Sequence, residues 1–162
     1  MLGRLFPREL TNAYSGSWAA LWLLAPVLIA KTLMGFNFSG LNPFISARDI
    51  LQTVDGVPLD TFTPEAAARI VDAAGAWGVA LLALCLIVWL VVLRYRAGLP
   101  AAVLALLIEQ LGRTGADTAA LVARLVSGSA TAPSAGAIIN LVMTVALVVA
   151  FVLSLLPIRP TR

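Results

Sequence analysis

Four long apolar stretches dominate this chain and restrict what it can fold into. They run approximately from residue 18 to 36, 73 to 93, 99 to 118 and 137 to 156. A helix needs about 20 mainly apolar residues to cross the hydrocarbon core of a bilayer. The second and fourth stretches carry no charge, the first is interrupted by Lys31, and the third is apolar only as far as Ile108. The pattern predicts one all-α membrane domain over residues 1–162, a bundle of four transmembrane helices.

The composition supports this interpretation and excludes several kinds of chemistry. The chain is 60% hydrophobic and 12% charged, whereas soluble domains are roughly half apolar and a quarter charged. It has no histidine and a single cysteine, Cys85, so His-ligated haem and thiolate clusters are not expected. The formal net charge is only +3 and the basic residues form no cluster. We therefore expect no cofactor, no metal and no nucleic-acid partner.

The distribution of arginine predicts the orientation of the chain, because loops in the cytoplasm are enriched in Lys and Arg. With four spans, both ends and the connection after the second span lie on one side. The loop from Asn37 to Asp72 then lies on the other side and is acidic. Both termini are therefore predicted to be cytoplasmic. The arginines of the cytoplasmic side are Arg4, Arg8, Arg94, Arg96, Arg159 and Arg162.

Two connections carry readable local signals. Thr63, Pro64 and Glu65 predict the start of a helix outside the membrane, with Thr63 as N-cap and an acid in the first turn. This helix would run on into the second span. After Arg113, apolar residues recur on one helical face, namely Leu121, Val122, Leu125 and Val126. They predict a short amphipathic helix in the last outer loop, which either lies in the interface or continues the third span.

Ionisable residues inside apolar spans are the first candidates for a functional site, since each costs about 2.5 to 3.5 kcal/mol at the centre of an inserted helix. Lys31 lies roughly 20 Å along the first span from its inner end, and Glu109 roughly 15 Å along the third. Asn140 enters the fourth span and Asp72 caps the second, both from the outer end. These four residues, Lys31, Glu109, Asn140 and Asp72, are the predicted binding site. No catalytic residue is predicted.

Structural alternatives exist for each charge. Lys31 and Glu109 can form an ion pair whose only role is to join two helices. Alternatively, the long aliphatic side chain of Lys31 can carry its ammonium group to the membrane–water interface. Glu109 can instead pair with Arg113, one turn later on its own helix. If Glu109 is functional, burial can hold its carboxyl neutral.

The layout of the chain resembles a group of small bacterial inner-membrane proteins with no assigned activity. The resemblance spans most of the chain and is clearest at Val54-Asp55-Gly56-Val57-Pro58-Leu59-Asp60, before Thr63-Pro64. It implies a multi-pass protein of the bacterial inner membrane and implies nothing about mechanism.

Three functions fit the sequence. The first is a non-enzymatic accessory or assembly subunit that acts through other membrane proteins. The second is a small transporter or channel component with a polar pocket in the outer half, which would require a homo-oligomer because four helices enclose only a narrow path. The third is a membrane-embedded enzyme that uses Glu109 with Lys31 or with an aspartate of the outer loop as an acid/base pair, although no familiar motif surrounds them.

Overall fold

The computed structural model describes residues 5, 7, 9–14, 16–128 and 134–156, with the backbone alone at 116–121, 124, 125 and 127. Within this part of the chain the protein is all-helical and contains no strand. The arginines predicted at the two ends, Arg4, Arg8, Arg159 and Arg162, lie outside the described residues. The described residues include five long or medium α-helices, α1 (Trp18–Phe38), α2 (Ala47–Thr53), α3 (Pro64–Arg94), α4 (Leu99–Ser127) and α5 (Ala135–Leu155), with 3-10 turns at Leu59–Thr61 and Arg96–Gly98.

Three of these helices, α1, α3 and α5, are long and apolar enough to cross a membrane. They contain the first, second and fourth predicted spans. The third predicted span forms the first two thirds of α4, which has 29 residues and is therefore about 44 Å long. The segment after Arg113 continues α4 and does not form a separate helix. Of the four residues on which the amphipathic face was predicted, Val122 and Val126 are exposed, and the side chains of Leu121 and Leu125 lie outside the described residues.

The predicted start of α3 is confirmed. Thr63 has an extended backbone and its hydroxyl accepts a hydrogen bond from the backbone N–H of Ala66, while Pro64 occupies the first turn. α3 has 31 residues, more than the span needs, so its first turns lie beyond the apolar segment. The link from α3 to α4 is the single 3-10 turn at Arg96–Gly98, which makes these two helices antiparallel.

The long helices bury residues at alternating spacings of three and four. On α1 this stripe includes Leu24, Leu28, Lys31, Gly35 and Phe38, and similar stripes recur on the other long helices. Such spacing is typical of helices that cross at small angles in a bundle. α1 packs closely against both α3 and α5, and α4 packs mainly against α5.

Glycines permit the closest approach between α1 and α3. A Cβ on Gly78 would lie 2.6 Å from the backbone nitrogen of Ser39, and one on Gly35 would lie 2.9 Å from the nitrogen of Leu82. Gly78 and Gly35 are therefore used for packing within the chain. No larger residue fits at either position without moving a helix.

The segment from residue 39 to 63, which we call the cap, folds over one end of the bundle. Ser46 and Asp49 form a capping box at the start of α2, and Arg48 pairs with Asp60 at 2.9 Å. Beneath them Leu51 and Leu59 are buried in a small apolar cluster with Ala67 and Phe38. The cap is thus a folded unit that fixes the ends of α1 and α3.

Candidate functional site

Lys31 lies in the buried stripe of α1 and is fully enclosed, with 0% of its side chain exposed. Its ammonium group forms an ion pair with Glu109 of α4 and donates a second hydrogen bond to Gln110 Oε1 at 2.6 Å. The charge of Lys31 is therefore neutralised inside the protein. Of the two alternatives predicted for Lys31, the structure shows the ion pair with Glu109 and not an extension towards the interface.

Glu109 accepts from three donors. Besides Lys31, the indole N–H of Trp77 donates to Oε1 at 3.0 Å, and Arg113 Nε approaches the same oxygen at 3.4 Å. The two structural alternatives predicted for Glu109, pairing with Lys31 and pairing with Arg113, thus occur together. The guanidinium of Arg113 also lies 4.4 Å from the ring centre of Trp77, a cation–π contact.

Asn140 links this group to α5. Its side-chain oxygen accepts from Arg113 at 3.1 Å and from Gln110 Nε2 at 3.3 Å. Gln110 Nε2 also reaches the hydroxyl of Thr114 at 3.2 Å. We call the group that joins α1, α3, α4 and α5 the polar cluster; its members are Lys31, Trp77, Glu109, Gln110, Arg113 and Asn140.

The buried polar atoms of the polar cluster find their hydrogen-bond partners within the protein. Among the described residues, every buried side-chain nitrogen or oxygen has a hydrogen-bond partner. Lys31 and Arg113 carry two positive charges against the one negative charge of Glu109, so the cluster has an excess positive charge. Arg113, with 26% of its side chain exposed, is the member through which this charge reaches the surface.

Three of the four predicted site residues come together, and the fourth does not. Asp72 is exposed on α3, and within the described part of the chain no hydrogen bond or ion pair joins it to the cluster. It lies five residues before Trp77, which places it about 140° around the helix. Asp72 was predicted to belong to the site only because of its depth along the second span. It lies on a side of α3 that faces away from the polar cluster.

Sequence reasoning missed Gln110, which is 0% exposed and bonds to both Lys31 and Asn140. The spacing of apolar residues on α4 does contain a signal for the burial of Gln110. Leu99, Val103 and Leu106 are fully buried at spacings of four and three, and Gln110 is the next position of that stripe. A polar residue in register with buried leucines is enclosed unless the helix end is exposed, and it then needs partners.

A polar cleft of about 440 Å³ opens beside the cluster at the cap end of the bundle. Arg113 and Asn140 line it on one side, and Asp55 of the cap lines it on another. Neighbouring protein atoms desolvate the Asp55 carboxyl and raise its pKa, an effect that Arg113 partly offsets. Asp55 approaches α5 closely because Gly136 has no side chain: a Cβ there would lie 2.5 Å from Asp55 Oδ1.

The opposite half of the bundle is apolar. Leu24, Leu81, Cys85, Val103 and Leu147 are almost completely buried there and pack in one cluster. The polar cleft therefore ends at the polar cluster, above this packed apolar core. Among the described residues, no group of three or more His, Cys, Asp or Glu side chains could hold a metal ion.

No known protein family, curated protein or solved structure matches this chain. The resemblance to small bacterial inner-membrane proteins stays a prediction.

Proposed function

We propose that the chain is a four-span protein of the bacterial inner membrane with both termini in the cytoplasm and the cap on the other side. The ion pair supports this proposal, because it neutralises Lys31 and Glu109, the charges that otherwise oppose insertion of α1 and α4. The length of α4 is sufficient for a span. The positions of Arg94 and Arg96 in the α3–α4 connection agree with the same orientation.

We further propose that the protein is a non-enzymatic accessory subunit that binds another membrane protein through its cap. One observation carries this proposal. Although the cap has its own apolar cluster, three neighbouring apolar side chains of the cap are exposed: Leu41, Phe44 and Ile45 are 60%, 92% and 42% exposed. A folded, fixed unit that leaves adjacent large apolar groups uncovered is typical of a surface that binds a partner.

The packing of the bundle favours this function over transport by a single chain. The apolar core fills the half of the bundle opposite the cap, and the charges of the polar cluster are held by bonds from four helices. Moving an ion or polar solute through that half would require separating the packed helices.

Site-specific photo-crosslinking tests the accessory function. We expect a photoreactive phenylalanine analogue at Phe44 to form one protein adduct in high yield in the native membrane. The analogue at Trp22, which is 79% exposed at the opposite end of α1, is the matched control and should label lipid. Substituting Phe44→Ser should remove the partner from material purified in mild detergent.

The polar cleft favours a second candidate, a carrier assembled from several copies of this chain. The same crosslinking distinguishes it. Adducts of the chain with itself, together with a pure homo-oligomer after purification, would support the carrier. Only lipid adducts at Phe44 and no stoichiometric partner would contradict the accessory function.

A further inference from the structure

An apolar groove of about 500 Å³ lies next to the polar cleft at the cap end of the bundle. α1 supplies Leu33 and Met34 to its wall, the cap supplies Ile50, and α5 supplies Ile139. Leu33 and Ile139 are 56% and 46% exposed, so the groove opens on the side of the bundle that faces lipid. Its size is within the range of sites for small ligands.

The groove and the cleft share Asp55, Gly136 and Asn140 in their walls. They therefore lie side by side, the groove lined mainly by apolar side chains and the cleft by polar and charged ones. This arrangement has the two-part chemistry of an amphiphile, with a hydrocarbon chain next to a polar headgroup.

The charges in the cleft restrict the headgroup. Arg113 brings the excess positive charge of the polar cluster to the cleft, and a guanidinium binds a phosphate with charge-assisted hydrogen bonds. Asp55 offers a carboxylate, for which no hydrogen-bond donor occurs among the described residues. A headgroup with a phosphate and an adjacent primary ammonium matches both groups, whereas a purely anionic headgroup would be repelled by Asp55.

We propose that the cap end binds one zwitterionic phospholipid with a primary-amine headgroup, from the leaflet that contains the cap. One acyl chain occupies the apolar groove between α1 and α5. The phosphate lies against Arg113 and the ammonium against Asp55. This inference goes beyond the accessory function and does not depend on it.

Titration of the full-length protein with phospholipids, followed by native mass spectrometry, tests the proposal. The probes share the same acyl chains and carry an ethanolamine, a choline or a glycerol headgroup. Water-soluble glycerophosphoethanolamine is the fourth probe. We expect the ethanolamine lipid to bind at one site roughly tenfold or more tightly than the other two lipids, as charge-assisted hydrogen bonds predict. The soluble headgroup should bind far more weakly because it leaves the groove empty.

Three variants probe the parts of the site, and two serve as matched controls. Asp55→Asn should reduce the preference for the ethanolamine headgroup. Arg113→Gln should weaken the binding of all three lipids, and Ile139→Trp should block the groove without changing a charge. Asp72→Asn and Arg69→Gln remove the same types of charge at exposed positions outside both cavities and should leave binding unchanged.

Equal binding of all three headgroups would overturn the proposal, as would equal effects of Asp55→Asn and Asp72→Asn. Tight binding of the soluble headgroup would also contradict it, since the site would then be for a free phosphate compound. Because Arg113 belongs to the polar cluster, Asp55→Asn and Ile139→Trp, which lie outside that cluster, decide the result if Arg113→Gln fails to fold.

Discussion

Lys31 and Glu109 depend on each other to unequal degrees. Without Glu109, the fully buried ammonium of Lys31 keeps only one described partner, Gln110. Without Lys31, Glu109 keeps Trp77 and Arg113, and part of its side chain is exposed. Loss of one member of a buried pair is costly because the other charge is left uncompensated.

We therefore expect Glu109→Gln to lower the free energy of unfolding by about 3–5 kcal/mol, and Lys31→Met to lower it by less. The double variant should recover part of the loss. Reversible unfolding in mixed detergent micelles measures all three. Asp60→Asn breaks the exposed pair with Arg48 and is the control, with an expected loss below about 1 kcal/mol. Losses that simply add would mean that Lys31 and Glu109 are not coupled.

At the scale of single residues, the sequence predicted which charges are unusual but not all of their partners. Lys31 and Glu109 stand out because a charge in an apolar span is expensive. Gln110 does not, since hydropathy records that it is polar and not which side of α4 it occupies. Asp72 was included in the predicted site because of its depth along the span, but it lies on a side of α3 that does not face the polar cluster. Both errors concern rotation about a helix axis, which only the buried 3-4 stripes reveal.

At the scale of elements, the contact between α1 and α3 depends on the absence of side chains. Gly78→Ala would place a Cβ against backbone atoms of Phe38 and Ser39, which cannot move without shifting the end of α1. We expect a loss of at least about 1–3 kcal/mol, the usual cost of overpacking. The same unfolding experiment measures it.

Gly112→Ala on α4 is the matched control. Apart from its chain neighbours and the adjacent backbone of α4, no described atom lies within 4 Å of its added Cβ, and alanine is favoured over glycine inside a helix by about 0.5–1 kcal/mol. Its stability should be unchanged or slightly higher. If both substitutions had the same effect, the close approach of α1 and α3 would not contribute to stability.

The helices themselves were predictable because each signal was local. The capping residues of α3 and the apolar runs of α1, α3 and α5 depend only on neighbouring sequence. The third span was predicted through Glu109 and Arg113 to residue 118, but whether the helix continues beyond it was left open, because charges of this kind resemble the end of a span. Their partners come from α1, α3 and α5, and no local pattern contains that information.

At the scale of the whole molecule, the proposed four-span topology requires α4 to cross the membrane. If it crosses, the polar cluster lies inside a four-helix bundle, and its charges need the partners that the fold supplies. If it does not, α4 lies on one surface and Arg94 and Arg96 no longer share a side with the C-terminus. The α3–α4 connection and the start of α5 are the two positions that distinguish these arrangements.

The most direct test is the accessibility of single introduced cysteines to a membrane-impermeant maleimide in intact cells whose outer membrane is removed. Ala97→Cys reports the α3–α4 connection, Ala135→Cys the start of α5, and Phe44→Cys the cap. The native Cys85 is fully buried and should react only after denaturation, which makes it an internal control. The account predicts labelling of the cysteines at 44 and 135 from outside and of the cysteine at 97 only after permeabilisation. Labelling of positions 97 and 135 from the same side would contradict the four-span bundle.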